Sequence, residues 1–188
     1  MSLISINFND SQHKEIIMKL CKRNKFYEDD MYLELYRDFP QQQKKIFINL
    51  GINVKDKFDE IYNNICGNNT NYGYLMINKH NNRNSVVGFL IYNIESKNIR
   101  SDLLFVLVDK KYQNQTFGTQ LMEKYIFDLN GKQLIARVKI EPNETMLKKW
   151  YLKYNFINVP NIKHTTETGF EWLFYGLTDI SKLVNYNI

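Results

Sequence analysis

The residues best placed to do chemistry lie in the stretch VLVDKKYQNQTFGTQLMEKY, Val106 to Tyr125. Leu103 to Val108 is an unbroken apolar run, the mark of a strand buried on both faces, and it stops at the polar segment Asp109 to Thr116. Phe117, Leu121, Met122, Tyr125, Ile126 and Leu129 then recur at three- and four-residue spacing. That period predicts a helix with one apolar side, with Gln120, Glu123, Lys124 and Asp128 facing water. A strand, a polar turn and a helix N-terminus make an anion site, because the first N–H groups of a helix lack intrahelical acceptors and sit at the positive end of its dipole. No Gly-Lys-Ser/Thr follows, so this is not a Walker loop, and a single glycine does not make a dinucleotide fingerprint.

The elements that must position this turn are legible in the periodicity. Leu3 to Phe8 alternates as a first strand, and Asn9 to Ser11 caps a helix running to about Lys22 with Ile16, Ile17 and Leu20 inward. Glu28, Asp29 and Asp30 precede Met31 to Phe39, and Gln41 to Leu50 and Asp56 to Ile65 read as helices separated by Gly51. Tyr72 to Asn78 and Ser85 to Ile94 are strands joined by a polar turn from His80 to Asn84, a hairpin. After the central helix, Gly131 reads as its cap and Gln133 to Ile140 as a further strand. Pro142 and Asn143 introduce a second amphipathic helix, with Met146, Leu147, Trp150, Tyr151 and Tyr154 on its apolar side. Phe156 to Val159 and Phe170 to Leu177 read as closing strands around a loop from Asn161 to Gly169.

At 188 residues, 44% hydrophobic and 24% charged, the chain reads as one globular domain with a Tyr- and Phe-rich core. Cys21 and Cys66 form no disulfide framework, which favours a reducing interior. His13, His80 and His164 are too dispersed for a metal site. The longest apolar runs fall short of the roughly 20 residues a bilayer crossing needs, and MSLISINFND has no basic leader, so a soluble, cytoplasmic or otherwise intracellular protein is expected. A net charge of +5 suits nucleic acid, a membrane surface or an anionic ligand, but the lysines form no block and no basic stripe interleaves with aromatics. Nucleic acid is therefore not an expected partner.

The turn resembles motif A of the GNAT superfamily of acetyl-CoA-dependent N-acetyltransferases. That signature is Gln or Arg, two residues, Gly, one residue, then Gly or Ala after a strand ending in Val or Ile. Here it reads Gln113-Asn114-Gln115-Thr116-Phe117-Gly118, five residues beyond Val108, with Thr116 where glycine is usual. The late helix adds a second likeness: Asn143, Tyr151 and Asn155-Phe156 resemble the family's Asn, Tyr and Gly-Phe, with Asn155 in place of glycine and Asn143 one residue farther from Tyr151 than usual. Together the two motifs and the order of the elements cover roughly Tyr72 to Leu177.

The resemblance implies an α/β chain of the α+β type over residues 1–188. It would form a mixed, largely antiparallel sheet of six to seven strands flanked by helices, with extra helices near the N-terminus. It implies acetyl-CoA as co-substrate, no metal, and direct transfer in a ternary complex to a primary amine: a small molecule, a protein lysine or an N-terminal amine. It allows a homodimer and gives no role to a membrane. Gln113, Asn114, Gln115, Thr116, Phe117, Gly118 and Thr119 would supply donors to the pyrophosphate, with Asn143 at the late helix and Lys110 and Lys111 as flanking charges. Backbone groups of Val106, Leu107 and Val108 would meet the pantetheine arm and thioester at a splayed strand. Tyr151 would be the general acid. Asp102, six residues before Val108 where the histone-acetylating branch has a glutamate, would be the base, with Glu95, Glu141 and Glu171 as alternatives. The acidic Glu28, Asp29 and Asp30 would attract a cationic acceptor. The rival reading is a catalytically weak or inactive GNAT-like domain that binds coenzyme A or a protein partner.

Overall fold

The computed structural model describes residues 1–24, 70–80, 83–95, 100–132, 134–140, 144–159 and 171–176, and elements are numbered within them. In chain order they are β1 (Ser2–Ser5), α1 (Ser11–Arg23), β2 (Asn71–His80), β3 (Arg83–Ile94) and β4 (Arg100–Val108). A 3-10 turn (Lys110–Tyr112) follows, then α2 (Phe117–Lys132), β5 (Ile135–Ile140), α3 (Thr145–Leu152), β6 (Ile157–Asn158) and β7 (Glu171–Tyr175). The seven strands form one sheet in the order β1-β2-β3-β4-β5-β7-β6, and only β4 and β5 run parallel. This is the mixed, mostly antiparallel α/β architecture expected. The helices read between Met31 and Ile65 lie outside the described residues, as does the loop Asn161 to Gly169.

Each face of the sheet carries its own core. On one side α2 and α3 cover Met76, Val87, Leu90, Tyr92, Leu103, Ala136, Val138, Ile140 and Leu173. On the other α1 lays Ile17, Leu20 and Cys21 on Leu75, Ile77, Phe89 and Ile91. The period of α2 explains its docking: Phe117, Leu121, Met122, Tyr125 and Leu129 are all buried, each contributing about 1.5–3 kcal/mol. The Ser101 and Tyr125 hydroxyls, 3.0 Å apart in the interior, tie that helix to β4.

Four sequence expectations are corrected. Asp128 does not face water: it accepts hydrogen bonds from Tyr74 Oη at 2.5 Å and Tyr92 Oη at 3.0 Å and pairs with Lys124 at 2.5 Å. Helical spacing places it on the polar side, but the long tyrosines of β2 and β3 reach around the helix edge. Gly131 does not cap α2, which continues through it to Lys132. Met146 is 76% exposed, because the eight-residue α3 buries only its Tyr151 side. Leu104 to Val108 are half-buried rather than buried on both faces, for a reason given by the strand pairing.

Candidate active site

The central strands part. Strand β4 pairs with β3 along its length to Gly88↔Val108, but with β5 only from Arg100↔Ile135 to Leu103↔Val138. Beyond that rung β5 follows β7, through Lys139↔Trp172 and Ile140↔Glu171. Two features of β3 and β4 set the divergence. Tyr92 faces Leu103 and Ile91 faces Phe105, so Leu104 is an extra residue, and such a bulge bends and twists its strand. Gly88 lets the end of β4 press on β3, where a Cβ would come within 2.7 Å of the Leu107 carbonyl. Val106, Leu107 and Val108 therefore lie past the last β5 partner, which leaves them half-buried.

The polar turn that follows is anchored from below. Asp109 is buried, accepts from Lys111 N at 3.1 Å and forms an ion pair with Arg23 at the end of α1. The Arg23 ion pair is made at Asp109 Oδ2, an oxygen that accepts no hydrogen bond among the described residues. Asn24, itself buried, accepts from Lys110 N at 2.8 Å. Glutamine side chains stitch the turn internally: Gln113 Nε2 donates to the Val108 carbonyl and Gln115 Nε2 to the Lys111 carbonyl, each at 3.1 Å. The amide nitrogens of Gln113 and Gln115 thus each hold a carbonyl of the turn in place.

Two residues of the turn are left-handed: Asn114 at φ 62° and Thr116 at φ 68°. Asparagine tolerates that region, but a β-branched residue there is an outlier. Thr116 holds a backbone conformation suited to glycine, the residue the motif has at that position. Its carbonyl accepts the first helical bond, from Gln120 N at 3.0 Å, so the N–H groups of Phe117, Gly118 and Thr119 have no intrahelical acceptor. The ring of Phe117 is buried against Tyr112, so only its backbone can face a ligand. A Cβ on Gly118 would lie 3.5 Å from the Trp150 ring and 3.6 Å from Val108 Cγ2. The start of α2, the end of β4 and α3 converge there.

Tyr151 of α3 is buried, with ring centroids 5.1 Å from Trp150 and 5.4 Å from Phe156. A Schellman-type ending fixes it: Asn155 is left-handed at φ 62°, Phe156 N donates to the Tyr151 carbonyl at 3.3 Å, and Asn155 N donates to the Leu152 carbonyl at 3.1 Å. Asn155 thus adopts the conformation for which the family uses glycine. Burial pushes the Tyr151 phenol above its usual pKa of 10.0, and the nearby Glu144 adds to the shift.

Asp102 stands on the opposite face of β4, in register with Arg137. The Arg137 guanidinium holds both carboxylate oxygens, through an Nε contact to Oδ1 and an Nη2 contact to Oδ2 at 3.2 Å, while Arg100 Nε lies 3.7 Å from Oδ1. Asp102 N donates to Asn93 Oδ1 at 2.9 Å. Of the alternative carboxylates, Glu95 lies 3.5 Å from Arg100, and Glu171 pairs with Lys148. Glu141, Asn143, Glu28, Asp29 and Asp30 lie outside the described residues. The sequence reading passed over Arg137 and Arg23. The alternation in Ile135–Ile140, with Arg137 and Lys139 at the polar positions, was the available signal for Arg137.

Comparison with known proteins matches residues 29–156 to the family model described as the acetyltransferase (GNAT) family. No curated protein sequence matches the chain. Among solved structures, a GNAT-family acetyltransferase from Staphylococcus aureus Mu50 is similar over 92% of this chain and 98% of its own, at 20% identity and TM-score 0.57. The ribosomal-protein-S18-alanine N-acetyltransferase of Escherichia coli is similar over 92% and 90%, at 14% identity and TM-score 0.54. Tetrahymena GCN5 is similar over 93% and 94%, at 10% identity and TM-score 0.57. At these identities the likeness is one of fold. With its family model spanning more than half of the 188 residues, the chain belongs to the acetyltransferase (GNAT) family.

Proposed function

We propose that this protein transfers the acetyl group of acetyl-CoA directly to a primary amine within a ternary complex. The observation that carries the reading is the parting of β4 from β5 after Leu103↔Val138, with the start of α2 at the mouth of the gap. The N–H groups of Phe117 to Thr119 and the turn from Gln113 to Thr116 bind the pyrophosphate, where the helix dipole favours negative charge. Asn143 adds a contact from the start of the late helix. Backbone groups of Val106 to Val108 meet the pantetheine arm and the thioester oxygen. An N–H fixed in a strand stabilises developing negative charge without reorganising.

Chemically, the amine nitrogen forms a bond to the acetyl carbon, the carbon–sulfur bond breaks, and the amine's proton must leave. A primary amine with pKa about 10.4 arrives mostly as ammonium, so its nitrogen gives up one proton before attack and a second as the amide forms. Asp102 accepts the first directly or through a water. Tyr151 faces the thiolate. Because burial holds its pKa above 10.0, the phenol keeps its proton at neutral pH until, as general acid, it delivers that proton to the departing sulfur, and the second proton shed by the acylated nitrogen restores it. Glu28, Asp29 and Asp30 attract the acceptor's charge, which makes a polyamine, an aminoglycoside or a lysine side chain the first acceptors to try.

The test is acetyl-CoA turnover, read as thiol release, with a panel of these amines and with neutral and acidic ones. Amine-dependent thiol release with formation of the amide supports the reading. Binding of acetyl-CoA without amide formation would leave the non-catalytic rival, and a preference for acidic amines would reject the role of Glu28, Asp29 and Asp30.

A further inference from the structure

The Asp102 carboxylate is held by guanidinium groups from two strands, and its backbone N–H by a side chain from a third. Its own strand carries Arg100, and β3 supplies Asn93 Oδ1 to its N–H at 2.9 Å. Strand β5 supplies the Arg137 fork on both oxygens. Strand β7 backs the fork from behind: the Trp172 ring centroid lies 4.4 Å from the Arg137 guanidinium carbon, and Nζ of Lys139, also on β5, lies 5.9 Å from the same ring. The indole is nearly buried, at 8% exposure, so the guanidinium rests on a fixed surface. The Asp102↔Arg137 pair is the rung immediately before Leu103↔Val138, the last before the strands part.

A forked guanidinium fixes a carboxylate in plane and direction in a way a lysine ammonium does not. We propose that Arg137, seated on Trp172, is a positioning residue that aims the Asp102 carboxylate at the acceptor amine. The inference rests on the acetyl-transfer reading and adds to it the means by which the proton acceptor is held. Arg137 touches neither amine nor thioester. Its influence passes through Asp102, and an Asp102 released from the fork loses the alignment on which proximity depends.

The experiment is a double-mutant cycle on the full chain, using acetyl-CoA and the best amine of the panel, with thermal unfolding run in parallel. Arg137→Met is expected to lower kcat/KM for the amine about 100-fold with the KM for acetyl-CoA unchanged. Arg137→Lys keeps the charge, restores part of the loss, and stays within about 4 °C of the parent Tm. In an Asp102→Asn background, where there is no carboxylate to aim, Arg137→Met costs less than about 3-fold. Trp172→Phe, which keeps an apolar seat, falls between the parent and Arg137→Met. Equal losses in the two backgrounds, or full activity in Arg137→Met, overturn the inference while leaving acetyl transfer intact. A parent protein that transfers no acetyl group to any amine overturns the functional reading beneath it. Should Arg137→Met unfold, the Lys variant and the double variant, which leaves no lone charge, decide the matter.

Discussion

Replacing Thr116 by glycine removes a conflict between residue type and backbone. At φ 68° an L-residue is left-handed, which costs about 1–2 kcal/mol, and β branching places threonine at the upper end. Glycine returns about 0.5–1 kcal/mol of that through the greater freedom of its unfolded chain. The lost contact from Gln120 Nε2 to Thr116 Oγ1, 3.4 Å and exposed, contributes little. The expected net gain is about 1 kcal/mol, a rise in Tm of about 2–4 °C for a chain of this size. Thr116→Ala is the control, since alanine keeps the Cβ that creates the conflict and gains much less. Thermal unfolding without ligand measures both variants, and titration with acetyl-CoA should show tighter binding for Thr116→Gly, whose backbone a phosphate can approach more closely. A Tm lowered by glycine, or equal gains for alanine and glycine, would refute the left-handed turn and the argument built on it.

Tyr151→Phe should lower kcat while leaving Tm within a few degrees, because the ring contacts with Trp150 and Phe156 survive the loss of one hydroxyl; unchanged turnover removes Tyr151 from the mechanism. Burial raises the phenols of Tyr92, Tyr125 and Tyr151 above 10.0 in the folded state. The unfolded chain therefore releases those protons first, so stability is unaffected below about pH 10 and falls above it. The phenolate absorbance of these three, beyond that of the exposed tyrosines, should accordingly appear together with the loss of the circular-dichroism signal, and ionisation of all three in a folded protein contradicts their burial. Asp128→Ala strands Tyr74, Tyr92 and Lys124 and should cost about 2–3 kcal/mol in urea unfolding; a loss under about 0.5 kcal/mol would mean that the network is solvated.

Much of the scaffold follows from spacing alone, since the three- and four-residue recurrence from Phe117 to Leu129 and the apolar run into Val108 dictate a helix and a strand with a polar turn between them. Thr116 was half legible: the motif marks its position as one for glycine, but its φ had to come from the backbone. The parting of the strands was implied only by family resemblance. It arises from the extra residue Leu104 and the close approach at Gly88, matters of register that leave no periodic trace. Partners distant in the chain were the least visible. Asp102 and Arg137 lie 35 residues apart, Lys110 and Asn24 86 apart, and Asp128 is drawn inward by tyrosines 54 and 36 residues before it. Helical position could show only that Asp128 sits at the edge of the apolar face.

Acetyl-CoA bound as proposed lies in the gap between β4 and β5, headed by the start of α2. Amide hydrogen exchange with and without saturating acetyl-CoA tests it directly. New protection is expected at Val106 and Val108, whose N–H groups face away from β3, and at Phe117, Gly118 and Thr119, with little change at β1 and β2. Protection confined to the α1 side of the sheet, or no protection at saturating acetyl-CoA, would contradict it.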